Sequence, residues 1–131
     1  MSKLPGIVFD ATGVIYRGTT PLPGAREAFL KLIKHKVPYC ILTNAGGSLE
    51  QERADRFNNY LGVPNCFSSE NLIQAHTPMK KIMNSKTNDN LAIVTGQMDI
   101  HRIVDHYNPN FKYLTVPEIC VLYPEIVPLV A

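Results

Sequence analysis

The chain has 131 residues, 45% of them hydrophobic and 18% charged, and a formal net charge of +2 at pH 7. This length predicts one domain with its own hydrophobic core. The basic residues are scattered, so we expect no nucleic-acid or membrane-surface partner, and no apolar run approaches the ~20 residues of a membrane span.

The first half of the sequence alternates predicted strands with predicted helices. A short apolar run at 6–10 predicts a buried strand that ends on the carboxylate of Asp10. A glycine-containing turn follows, and residues 25–36 then place apolar side chains at helical spacing. Residues 37–43 predict a second strand, which also ends on a polar residue, Thr43.

The second half is organised in a similar way. Ser48 and Gln51 form a capping-box pattern ahead of a helix that we expect to run to about Leu61. Residues 65–77 give no clear prediction. Residues 91–96 predict the third strand. The remaining predicted elements are a short helix over 79–83 that begins at Thr77 and Pro78, a helix at about 99–107, a strand within 111–116 and a short helical segment within 117–124.

This order of elements predicts an α/β fold built on a parallel sheet with right-handed crossovers. The final residues, 123–131, are apolar and interrupted by prolines, so we expect the chain to stop short of its next element. The first strand would then be an exposed sheet edge, which promotes association. We therefore expect a homo-oligomer or a missing C-terminal portion.

The cysteines indicate the compartment. Cys40, Cys66 and Cys120 are odd in number and far apart, so they match neither a disulfide framework nor a zinc site. Reduced thiols are typical of a cytosolic-type compartment. The first residues lack the layout of a secretion signal, and we expect a cytoplasmic protein, with a mitochondrial location left open.

Polar residues follow the first two predicted strands. A carboxylate at a strand end, such as Asp10, serves as a nucleophile, a metal ligand or a helix cap. Thr43 and Asn44 end the second strand, and they would share one crevice with Asp10 if the two strands are neighbours. Gly13 would let the backbone approach a ligand closely.

These segments carry a family resemblance. The protein resembles the haloacid dehalogenase-like hydrolases, subfamily IIA, through the stretches FDATGVIYRG and PLPGAREAFLKLIKHKVPYCILTNAGGS. Three further stretches are similar to the branch of cat eye syndrome critical region protein 5, namely LTNAGG, HTPMK and LAIVTGQ. The resemblance implies a Rossmann-like three-layer αβα core and a phosphatase that uses Mg²⁺ and a phospho-aspartate on a small phosphorylated metabolite. Residues 1–131 would be the N-terminal part of that core domain, truncated before its last strands, with a cap domain beginning near 113–131.

The resemblance also implies roles for individual residues. Asp10 would be the nucleophile and a magnesium ligand, and the main-chain carbonyl of Thr12 would be the second protein ligand. Thr43 would hydrogen-bond the transferring phosphoryl group, with Asn44 beside it. Arg17 would lie in a flap hairpin over the site, where it reaches an anionic substrate.

The sequence departs from the family pattern in three places. Thr12 stands where the family has an aspartate that acts as general acid and base, and the family's later lysine and acidic pair have no counterpart here. The Asp-x-Thr-Gly pattern also resembles P-type ATPases, so Thr12 predicts slow turnover or a long-lived intermediate. Three functions stay open: a phosphatase, an inactive relative that binds a phosphorylated ligand or a protein, and a structural fragment that needs complementary strands.

Overall fold

The computed structural model describes residues 5–85, 91–96 and 99–125. The chain divides into two units, Met1–Thr77 and Pro78–Ala131. The first unit contains β1 (Ile7–Phe9), β2 (Tyr16–Arg17), β3 (Thr20–Pro21), α1 (Ala25–Lys34), β4 (Tyr39–Thr43), α2 (Glu50–Leu61) and β5 (Leu72–Gln74). The second contains α3 (Met79–Ser85), β6 (Ala92–Val94), α4 (Ile100–Tyr107), β7 (Tyr113–Thr115) and α5 (Val116–Leu122).

A parallel sheet in the order β1-β4-β5 forms the framework of the first unit. Phe9 lies opposite Ile41, and Thr43 lies opposite Gln74. The α/β class, the parallel sheet and the pairing of the first two predicted strands are thereby confirmed. β1 borders only β4 among the described residues, so it is an edge strand there, as predicted.

The third strand of this sheet was assigned wrongly from the sequence. Residues 91–96 contain β6, which pairs with β7 in a separate two-stranded parallel sheet. The third strand of the sheet, on the other side of β4 from β1, is β5. It lies within the segment 65–77, which gave no clear prediction. An apolar run identifies a strand but not its neighbour, and β5 is only three residues long.

The core of the first unit lies on one face of its sheet. Phe29 of α1 packs its ring at 5.2 Å from Phe9, 5.3 Å from Tyr39 and 5.0 Å from Phe67. The opposite face is more open, because Val8 is 62% exposed and neighbouring side chains there are similarly accessible. The prediction of a buried first strand is therefore wrong: successive side chains point to opposite faces, and only one face is covered by described residues.

The ends of α2 show where local sequence rules hold and where they fail. Gly62 ends the helix in the left-handed conformation (φ 67°), and its N–H donates to the carbonyl of Asn58. The predicted capping box at the other end is wrong. Leu49 is the N-cap residue and provides no side-chain hydrogen bond, while Gln51 donates to Asp55.

The second unit follows regular capping rules. The Asp99 carboxylate accepts a hydrogen bond from the Arg102 N–H at the start of α4. Thr115 and Glu118 form a capping box at the start of α5. Within the described ranges, no helix combines the length and the apolar character needed to cross a bilayer.

Candidate active site at the ends of the first two strands

Asp10 follows β1 directly and presents an exposed carboxylate. Its Oδ1 accepts a hydrogen bond of 2.7 Å from the N–H of Ala11. The chain then reverses at once, because the Ala11 carbonyl accepts from the N–H of Ile15 at 2.9 Å. Gly13 has a φ of +85° in this turn, a conformation that other residues adopt only with strain.

Thr43 ends β4 at the same edge of the sheet. The parallel register places Phe9 opposite Ile41. Asp10 lies one residue after Phe9 and Thr43 lies two residues after Ile41, so both follow the same pair of residues. Thr43 is buried, and its hydroxyl oxygen accepts a hydrogen bond of 3.2 Å from the N–H of Ala45. That bond leaves the hydroxyl proton available to a ligand. A shared crevice for the two side chains stays a prediction.

The other predicted site residues lie around these two strand ends. Thr12 and Gly13 belong to the turn after Asp10, and Asn44 is exposed directly after β4. Arg17 is exposed on β2, which pairs with β3 in an antiparallel hairpin. The structure thus has a hairpin where the resemblance places the flap.

A polar network behind this edge was missed by sequence reasoning. The Nε–H of Arg53 donates to the side chain of Gln74 at the end of β5, and its Nη2 donates to the carbonyl of Gly46 at 2.6 Å. Thr77 donates to Glu50 at 2.6 Å. These bonds join α2, β5 and the loop after β4, across sequence separations that no local pattern reveals.

A cavity of about 170 Å³ opens beside the turn and the hairpin. Its lining combines two arginines with aromatic and small residues: Ala11, Thr12, Tyr16, Gly18, Ala45, Arg53, Arg56, Phe57 and Tyr60. Asp10 and Thr43 do not line it, although residues one or two positions after each of them do. The cavity is therefore adjacent to the predicted site and separate from its two principal side chains.

The donor atoms for a metal ion are few. The part of the chain that the structure describes holds no group of three or more His, Cys, Asp or Glu side chains arranged to bind one. The Asp10 carboxylate and the Thr12 carbonyl are both oxygen donors in an exposed turn. That donor set suits Mg²⁺, which retains several waters and takes one or two carboxylates together with substrate phosphate.

The family model of the haloacid dehalogenase-like hydrolases matches residues 7–109. The chain belongs to this family. The match includes the Asp10 turn, Thr43 and both lining arginines, so the site described above lies within the family's own region. The match confirms the family that the sequence resemblance indicated.

Three relatives illustrate the similarity. A mitochondrial hydrolase of Saccharomyces cerevisiae is 40% identical over 83 residues, which are 63% of this chain and 23% of that protein. A hypothetical protein from Pyrococcus horikoshii matches with a TM-score of 0.69 and 22% identity, covering 90% of this chain and 43% of the other. A glycerol phosphate phosphatase from Mycobacterium tuberculosis, in complex with magnesium, matches with a TM-score of 0.59 and 15% identity, covering 85% of this chain and 31% of the other. The chain thus spans less than half of each relative.

Proposed function

We propose that this chain carries the nucleophile of a magnesium-dependent phosphatase that acts through a phospho-aspartate on a small phosphorylated metabolite. The observation that supports this most is the exposed Asp10 carboxylate at the end of β1, followed by the Gly13 turn, in a member of a hydrolase family. The name of the yeast relative favours the mitochondrion over the cytoplasm.

The chemistry follows from the groups at the two strand ends. An Asp10 oxygen attacks phosphorus, the bond from phosphorus to the ester oxygen breaks, and the departing alkoxide takes a proton from water. Thr43 donates its hydroxyl proton to a phosphoryl oxygen. Water then attacks the phosphorus of the acyl phosphate, which releases inorganic phosphate and restores the Asp10 carboxylate.

The carboxylate of Asp10 and the carbonyl of Thr12 would hold the magnesium ion. The bound ion would reduce the repulsion between the Asp10 carboxylate and an anionic phosphoryl group. The residues themselves orient the phosphoryl group, since Thr43 is buried and fixed by its bond from Ala45.

The presence of Thr12 in place of an aspartate is compatible with two versions of this function. A threonine hydroxyl cannot supply a proton near neutral pH as a carboxylic acid does, and general acid–base assistance contributes about 10²–10⁴-fold to rate. The first version is therefore a slow phosphatase. The second is a protein that binds a phosphorylated ligand without turnover, which Thr12 also favours.

Phosphoryl transfer to Asp10 tests the proposal. We expect the full chain, incubated with Mg²⁺ and acetyl phosphate, to form a hydroxylamine-sensitive acyl phosphate that Asp10→Asn abolishes. Glu70→Gln, which removes an exposed carboxylate outside the site, should leave labelling unchanged. Thr12→Asp should raise the hydrolysis of p-nitrophenyl phosphate by about 10²–10⁴-fold.

The outcomes are distinct. Absence of labelling in the wild type together with inactivity of Thr12→Asp would overturn the phosphatase. Binding of inorganic phosphate that Thr43→Ala weakens, without labelling of Asp10, would support the binding protein instead.

A further inference from the structure

The cavity beside the flap hairpin has the character of an anion-binding site. Arg53 and Arg56 both line it, three residues apart on α2, a spacing that places two side chains on one helix face. The lining residues include no carboxylate. A cavity lined by two arginines and by no acidic residue favours an anionic group.

Arg53 is fixed in this position before any ligand arrives. Its bonds to Gln74 and to the Gly46 carbonyl use two of the five N–H donors of a guanidinium group. Burial lowers the pKa of Arg53, and the nearby positive charge of Arg56 lowers it further. An anion between the two groups would offset both effects.

The walls of the cavity strengthen such an interaction. Tyr16 and Phe57 are buried, with ring centroids 4.9 Å apart, and Tyr60 meets Tyr16 edge-on at 6.0 Å. Aromatic surfaces exclude water, and a lower local dielectric makes charge–charge interactions stronger. Arg56 is exposed, so an anion can approach it from solvent.

The size and location define what the cavity would hold. Pockets for whole small-molecule ligands measure about 300–1,000 Å³, so 170 Å³ suits one substituent. Thr12 and Ala45 line the cavity, and each lies two residues after a proposed phosphate-site residue. The cavity therefore lies next to the turn after Asp10 and the loop after Thr43.

We propose that Arg53 and Arg56 bind a second anionic group of the substrate, so that the substrate is a phosphate ester that also bears a carboxylate or another phosphate. This inference rests on the proposed function, because it takes the reacting phosphate to lie beside Asp10. Arg17, for which the family resemblance implies a contact with an anionic substrate, does not line this cavity.

Paired ligands test the proposal by calorimetric titration of the full chain with Mg²⁺. We expect 3-phosphoglycerate to bind about tenfold or more tightly than glycerol 3-phosphate if the second group is a carboxylate, as for a charge-assisted hydrogen bond. A corresponding preference for 1,3-propanediol bisphosphate over propyl phosphate would show that the second anionic group is a phosphate. Arg56→Ala should remove the preference, because it deletes one of the two proposed anion-binding groups. Arg56 is exposed, so its loss should leave the core intact.

Arg26→Ala is the matched control. It removes an exposed guanidinium group from α1 that donates to the carbonyl of Gly62, and the preference should persist. Equal affinity within both ligand pairs, or a preference unchanged by Arg56→Ala, would overturn the inference. Labelling of Asp10 by acetyl phosphate reports separately on the proposed function, since that donor has no second anionic group.

Discussion

Removing the Tyr16 hydroxyl should have an effect on stability that changes with pH. Tyr16 is buried and donates a hydrogen bond of 2.8 Å to the carbonyl of Phe57. Tyr16→Phe keeps the ring and loses that bond, so at pH 8 we expect the free energy of unfolding to fall by about 1 kcal/mol. Burial raises the pKa of Tyr16 above its ordinary value of 10.0.

The sign of the pH effect follows from that shift. Above pH 10 the unfolded tyrosine loses its proton while the folded one keeps it, so the wild type loses about 1.4 kcal/mol of stability per pH unit through this residue. The variant lacks this loss. The difference between the two proteins should therefore vanish near pH 11 and then reverse.

Urea unfolding followed by far-UV circular dichroism from pH 8 to 11.5 measures this difference. Tyr39 has a raised pKa as well, but it is present in both proteins and cancels. Tyr123→Phe, at an exposed tyrosine, is the control and should match the wild type throughout. A difference between Tyr16→Phe and wild type that stays constant across this range would refute the reasoning.

Two further predictions concern the turn and the core. Gly13→Ala should reduce stability by about 1–2 kcal/mol, because Gly13 has φ +85° although no atom lies within 4 Å of an added Cβ; Gly6→Ala, with ordinary contacts at 3.8 Å, should be nearly neutral in the same urea titration. Phe29→Ala should cost about 3–5 kcal/mol through a core cavity, whereas Leu30→Ala, at a 45% exposed neighbour, should cost far less by thermal denaturation. An equal loss of stability in Gly13→Ala and Gly6→Ala would contradict the backbone argument, and an equal loss in Phe29→Ala and Leu30→Ala would contradict the packing argument.

The strands and helices with strong local signals were predictable from the sequence. The apolar runs that end at Asp10 and Thr43 became β1 and β4, and Gly62 ended α2 as expected. The pairing of neighbouring strands then placed both polar residues at one sheet edge. Local spacing is sufficient for such features because they depend on a few adjacent residues.

The remaining features depend on contacts between distant parts of the chain. Residues 91–96 form a strand, yet only tertiary structure determines that β7 is its partner. The bond from Arg53 to Gln74 spans 21 residues, and no periodicity in the sequence indicates it. The arginine-lined cavity combines residues of the turn after β1, the loop after β4 and α2, and their proximity is not visible in the sequence.

The central position of β4 has a consequence for the dynamics of the site. β4 is hydrogen-bonded on both sides, by β1 and β5, whereas β1 has β4 as its one partner among the described residues. Amide protons of β4 should therefore exchange with deuterium most slowly, and those of β1 sooner, as local openings begin at the sheet border. The hydroxyl of Thr43, at the end of the central strand, would keep its position during such openings. The carboxylate of Asp10 would hold its position in the site only while β1 stays hydrogen-bonded to β4.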